Sequence, residues 1–291
     1  MISNEARIME KVLRLIDMRN VVHKMISNPT RNNQYEEPPK SLYKKYITKC
    51  EIISNRKCVS LKSSVNPKKH IFYFHGGAYT MQAKKIHWHI IGNILSKTQC
   101  EITFINYPLT PEHTCIDTMA MVIKAYSLLC KTNEQEIILS GDSAGGGLAL
   151  SLAQHIKMEE IQPTPAKIIL LSPWLDVSME NSTPIEQDNR DLILSKEMLK
   201  IVGRRYAGNY DIKNYRCSPL YGELTGIGDI ALFTGTSEIL NVQARQLRDE
   251  LKSHGQKCSY YEYERMQHVW VGFPIPEAKE AMGKVISFIE N

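Results

Sequence analysis

The chain has 291 residues, 43% of them hydrophobic and 23% charged, with a formal net charge of +5. This is the balance of a globular protein able to bury a sizeable core, and the scatter of its lysines and arginines argues against a nucleic-acid partner. Seven cysteines, an odd number with no C-x-x-C pair, exclude a disulfide framework and are expected to be reduced and mostly buried.

The chain opens with charges mixed into its apolar positions, so it is read neither as a secretory signal nor as a membrane span. A cytoplasmic protein without stable membrane insertion is expected. In this stretch Ile8, Val12, Leu15 and Ile16 recur at helical spacing and predict an amphipathic helix. Its apolar face is expected to pack on the protein's own body, with a lipid surface as the lesser alternative. A polar, proline-bearing connector at 28–40 follows, and then β-like runs at Ile47–Ile53 and Cys58–Leu61.

Beyond these, short apolar runs predict strands at His70–Phe74, Ile102–Asn106, Ile137–Ser140, Ile168–Ser172, Ile230–Thr234 and Ser259–Tyr263. Helical patterns such as Asp117–Cys130, Leu148–Met158 and Val242–His254 separate most of them. Strands alternating with helices imply an α/β fold with a mainly parallel sheet covered on both faces. From Asp176 to about Leu224 the rhythm breaks, leaving a short helix near Lys196–Tyr206. So long an insertion is expected to form part of a cap together with the N-terminal helix.

Within "IILSGDSAGGGLAL", Ser143 sits between Gly141 and Gly145 where a strand runs into a helix. A chain of this length shows a G-x-S-x-G about one time in ten from composition alone, so partners have to be found elsewhere. A serine nucleophile needs a base, an acid to orient the base, and donors for the oxyanion. The sharp strand-to-helix elbow would expose Ser143, and the Ala144 N–H at the new helix's start would face the oxyanion. Upstream, "FYFHGGAY" ends a strand in two glycines, so Gly76 and Gly77 are expected to supply the other donors, with His75 supporting their loop.

The base should follow the serine and the acid in chain order. Of the histidines after Ser143, His155 would point away from the elbow and His254 ends a helix. His268, in the loop after the last strand, is therefore the candidate base. Glu238 stands just after a strand and before a helix, the position the acid requires, whereas Asp229 and Asp249 do not fit. Tyr79, Trp88, Trp174 and Tyr206 are aromatics that could line a substrate pocket. His87 and His89 would face different sides of a helix with no further ligand at metal spacing, so no metal is expected.

The segments "HGGAY", "YPLTPEH", "GDSAGG", "LSPWLD", "SPLYGEL", "GTSEIL" and "MQHVW" occur in an order that resembles the hormone-sensitive-lipase-like branch of the α/β-hydrolases. The resemblance covers roughly residues 70 to 290. It implies an α/β-hydrolase fold with an eight-stranded sheet, residues 1–45 as an N-terminal helical cap segment, and 46–291 as the catalytic domain with a cap-type insertion at about 176–224. It further implies a serine carboxylesterase for short- to medium-chain acyl esters, without cofactor, with Ser143, Glu238 and His268 as triad and Gly76, Gly77 and Ala144 as oxyanion donors. Its partner would be a small-molecule ester, and a homodimer is left open. The sequence departs from the family pattern at Ala78, where a third glycine is usual, and at Glu238, where aspartate is commoner. Glu112 would brace the glycine loop. A deacetylase or amidase on the same triad is the nearest alternative; a non-catalytic binder on this fold is disfavoured by the presence of His268.

Overall fold

Apolar residues alternate between two layers of core on either side of one sheet. On strand β3 (Lys69–Phe74), Phe72 and Phe74 enter one cluster and Ile71 and Tyr73 the other. The same alternation runs through β5 (Glu136–Asp142), β6 (Lys167–Leu171) and β7 (Asp229–Gly235). Such near-continuous buried runs are what a parallel strand needs when helices cover both its faces.

The computed structural model describes residues 2–32, 35–130, 135–180 and 185–291. Its eight-stranded sheet also contains β1 (Ile47–Ile53), β2 (Arg56–Lys62), β4 (Cys100–Ile105) and β8 (Cys258–Tyr263), in the order β1-β2-β4-β3-β5-β6-β7-β8. β1 with β2 and β2 with β4 are antiparallel, and every other pair is parallel. The fold and the strand number agree with the sequence reading.

The N-terminal helix divides in two. α1 (Asn4–Leu15) starts on the Ser3 side chain, which accepts the Ala6 N–H, and α2 (Met18–Ser27) follows a left-handed Asp17 at φ +48°. One positive-φ residue turns what reads as a single amphipathic stretch into a bent pair. After α3 (Lys40–Lys45), the sheet is flanked by α4 (Lys85–Leu95), α5 (Cys115–Leu129), α6 (Ala144–Met158), α9 (Asn241–Ser253) and α10 (Pro276–Glu290). The insertion after β6 carries α7 (Ile185–Arg190) and α8 (Lys196–Ala207), and no strand forms there among the described residues.

α6 lies deepest, with all its residues from Ala144 to Ile156 buried. It can approach so closely because a Cβ on Gly145 would stand 2.0 Å from the Phe74 carbonyl oxygen, and one on Gly141 would stand 2.3 Å from that of Gly145. Close packing and presentation of Ser143 are therefore one requirement here. The parallel strands β3, β5, β6, β7 and β8 end on the same edge of the sheet, which is where open α/β sheets gather their functional loops.

Candidate active site

Ser143 caps the step from β5 into α6 with φ +53° and ψ −122°, a conformation that side chains avoid and that costs about 1–3 kcal/mol. The surrounding backbone enforces it. The Ser143 N–H donates to the Leu171 carbonyl (2.9 Å), and its own carbonyl accepts from Trp174 (2.9 Å) and Gly147 (3.2 Å). The elbow lifts Oγ to 2.8 Å from His268 Nε2, and His268 Nδ1 lies 2.8 Å from Glu238 Oε2. The sequence-derived trio thus meets in one hydrogen-bonded line, although its members are separated by 125 and 30 residues.

Glu238 is wholly buried, and its second oxygen is saturated. Oε1 accepts from Ser172 Oγ (2.9 Å), Thr234 Oγ1 (2.8 Å) and the Gly235 N–H (2.7 Å), leaving Oε2 for the imidazole. Ser172 Oγ also accepts the Val269 N–H at 3.2 Å, so one hydroxyl ties Glu238 to the loop that carries His268. Burial pulls the His268 pKa down, but the hydrogen bond and charge of Glu238, with smaller help from Asp191 and Asp142, outweigh it and hold the imidazole above its ordinary value.

Sequence reasoning missed Asp191, which is buried in the insertion. Its Oδ1 accepts the N–H groups of Ile193 and Leu194, and its Oδ2 accepts that of Ile239, each at 2.8 Å. It clamps the residue after Glu238 to the pocket wall. Burial raises its pKa, against the opposing pull of His268 and these three amides. No local pattern marks it, because its partners are backbone groups of another segment. Gln267, beside His268, makes a parallel tie by accepting the Leu192 N–H at 2.8 Å.

The glycine loop corrects one expectation. The Gly76 N–H donates to Asp142 Oδ1 at 3.1 Å and is thereby engaged. Asp142 also accepts the Tyr73 hydroxyl at 2.6 Å and lies 3.4 Å from His87 Nε2. Burial would raise its pKa, but His87 and Tyr73 overcome this and lower it. The carboxylate beside Ser143 therefore pins the glycine loop to the elbow. Gly77 (φ +129°) then turns sharply, and a Cβ there would meet the Met81 carbonyl oxygen at 2.5 Å. Among the described residues, nothing accepts from the N–H groups of Gly77, Ala78 or Ala144.

His75 supports the loop as expected: Nδ1 lies 2.7 Å from the Gly76 carbonyl, the ring stacks on Tyr107, and burial lowers its pKa to about 3. Glu112 braces the same region through Arg31, whose guanidinium pairs with it at 2.6 Å and donates to the carbonyls of Thr80 and Thr110.

Ser143 and His268 open into a cavity of about 340 Å³. Its walls are apolar; besides Ala78, Met81 and Ile86 at and after the glycine loop, they come from three other parts of the chain. Leu13, Met18, Val22, Met25 and Ile26 belong to the N-terminal helices, Ile193 and Leu194 to the insertion, and Val269 and Phe273 to the segment after His268. The aromatics proposed for the pocket are elsewhere. Tyr79 stacks on Tyr206 with ring centroids 3.6 Å apart, Trp174 lies 5.8 Å from Tyr79, and all three rings are fully buried. Positive φ at Ala78 and Tyr79 turns the Tyr79 side chain into the core. Trp88 packs on Phe104 and donates its indole N–H to the Tyr35 carbonyl, outside the cavity. His87 is buried and His89 exposed, on different sides of α4.

A model of the alpha/beta hydrolase fold matches residues 71–272. An esterase of Acinetobacter venetianus is 29% identical over 237 residues, covering 78% of this chain and 77% of the relative. An acetyl-hydrolase of Streptomyces hygroscopicus is 26% identical over 225 residues, covering 76% and 75%. The solved structure of an esterase/lipase from an uncultured bacterium superposes with a TM-score of 0.82 at 25% identity, covering 99% of this chain and 98% of that one. With the family match spanning more than half its length, and with the elbow, the sheet order and the order of motifs all in agreement, the chain belongs to the α/β-hydrolase family.

Proposed function

We infer that the protein is a serine carboxylesterase for short- to medium-chain acyl esters. The observation that carries this is the unbroken line from Glu238 through His268 to Ser143 Oγ at the floor of an apolar cavity. The relatives named esterase and acetyl-hydrolase support it.

The roles follow from the geometry. His268 Nε2 takes the Ser143 hydroxyl proton as Oγ attacks the ester carbonyl, and Glu238 holds the imidazole in the tautomer that leaves Nε2 free to accept. Charge developing on the carbonyl oxygen is met by the N–H groups of Gly77, Ala78 and Ala144 and by the positive end of α6. Ala78 serves in place of Gly76, whose amide donates to Asp142. His268 then returns the proton to the leaving alcohol, and water enters by the same route to release the acid from the acyl-enzyme.

A cavity of about 340 Å³ stands at the small end of ligand pockets and suits a short to medium acyl chain. Its apolar lining favours such chains over acetylated sugars or peptides, which would leave their polar groups unpaired. The N-terminal helices and the insertion act as the cap, because both supply walls to this cavity. No helix among the described residues is long and apolar enough to cross a membrane. Seven free cysteines, five of them buried, fit the proposed reducing, cytoplasmic setting.

The test is hydrolysis of p-nitrophenyl acetate and butyrate, together with labelling by a fluorophosphonate. Turnover abolished by Ser143→Ala, with label found on Ser143, is expected. Folded protein that neither turns over these esters nor takes the label overturns the reading.

A further inference from the structure

α1 has two faces, and among the described residues only one of them packs on the rest of the protein. Ala6 and Leu13 are buried. Outward, Ile8 is 60% exposed, Val12 42%, Leu15 86% and Ile16 46%. These four residues follow the i, i+4, i+7, i+8 spacing and so form one continuous apolar stripe. Arg7, Lys11 and Arg14 repeat the same spacing one position earlier and line its edge with exposed cations. Glu5 stands at the N-terminal end of the face. Glu10 is matched by Arg14 at 3.1 Å and Arg265 at 2.7 Å, so among the described residues Arg7 and Lys11 are left unopposed.

The same helix reaches the candidate active site with its inner face. Leu13, on the inner face of the same helix, is a wall of the cavity that holds Ser143, and so are Met18 and the exposed Met25 of α2. An apolar helix face edged by cations is the pattern of a helix that lies in a lipid interface. Anionic headgroups would supply the charges the edge lacks. A second copy of the chain is the poorer fit, because it would bring its own cations to the contact.

We propose that the outward face of α1 docks on an anionic lipid surface and presents the cavity to ester substrates held there. The docking stands on the helix itself; the delivery of substrate rests on the esterase reading.

The experiment measures co-sedimentation of the full chain with vesicles of phosphatidylcholine alone or mixed with phosphatidylglycerol, alongside hydrolysis of soluble p-nitrophenyl butyrate. The wild type is expected to bind the anionic vesicles and to be released by salt. Leu15→Asp should weaken binding about thirtyfold, the loss of one buried leucine. Replacing Arg7 and Lys11 by Gln should weaken it about fivefold per cation. Neither variant touches the cavity, so unchanged turnover of the soluble ester shows that both are folded. Wild-type protein that leaves both vesicle types in the supernatant overturns the proposal. So does binding that these variants do not weaken, or a dimer in light scattering that Leu15→Asp converts to monomer. If vesicles bind but no ester is turned over, the docking stands and the esterase reading falls.

Discussion

Replacing Glu238 by Gln changes one atom and tests the whole relay. Oε1 of Glu238 receives three donors, from Ser172, Thr234 and Gly235, while Oε2 receives His268 Nδ1. A glutamine must choose between the two sides. Turning its NH2 toward the three donors would leave three buried hydrogen bonds unmade, each worth about 1 kcal/mol or more. Keeping its oxygen there turns the NH2 toward His268, which costs one hydrogen bond unless the imidazole moves its proton from Nδ1 to Nε2. The second arrangement therefore wins, and the base then presents a proton to Ser143 Oγ instead of a lone pair. We expect kcat to fall by about 10³–10⁴, the size of effect seen when a triad acid is converted to its amide elsewhere. That corresponds to about 4–5.5 kcal/mol of lost transition-state stabilisation. KM for p-nitrophenyl butyrate should stay within a few-fold, since Glu238 is not among the cavity walls. The acid limb of the pH profile should move to lower pH, because the hydrogen bond and charge that raise the His268 pKa are gone. Steady-state kinetics across the pH range decide it. A kcat within about tenfold of wild type would refute the reasoning and shift the orienting role to the nearby Asp191.

Three further outcomes follow from the same geometry. In the wild type, His268 must be neutral to act; its raised pKa places the fall in kcat/KM on the acid side of the profile, with a midpoint above that of an ordinary histidine, readable by stopped-time assays of soluble ester. Ser143→Gly should abolish turnover yet raise stability by about 1–2 kcal/mol in urea unfolding, because glycine relieves the positive-φ strain; an unchanged midpoint would show that the elbow is not strained. His70 and His75 are buried and neutral, with pKa values lowered to about 4 and about 3. Unfolding lets both take up protons once the pH falls below the ordinary histidine value, so stability should drop toward acid with a slope of up to about 3 kcal/mol per pH unit from this pair, lessened in the variant His70→Gln.

The parts of the site that were legible in the sequence are those whose cause is local. Gly141 and Gly145 flank Ser143 because backbone from β3 and α6 passes within contact of where their Cβ atoms would be, and that demand shows in the sequence as glycine. Glu238 and His268 stand in loops just after strands, and strand periodicity locates such loops without any knowledge of what they touch. What stayed hidden depends on contacts between distant segments. The motif points to Gly76 as an oxyanion donor, but Asp142, 66 residues away, holds its amide. Tyr79 stands beside the glycine loop in sequence, and only the positive φ values at Ala78 and Tyr79 reveal that its ring turns inward to Tyr206. Asp191 escaped notice because an acid that accepts three backbone amides leaves no motif. The cavity walls escaped for the same reason, since Leu13, Val22 and Ile26 are spaced as any amphipathic helix would be, and their spacing says which face is apolar but not what it covers. On the proposed function, chemistry would be written in short strand-end motifs, and the choice of substrate would be left to helices that carry no motif. Substitutions at Val22 or Met25 should accordingly alter which acyl chain is accepted while leaving the relay from Glu238 to Ser143 intact. A swap of acyl preference with kcat for acetate preserved would place specificity in the N-terminal helices, and equal losses on every chain length would place it elsewhere.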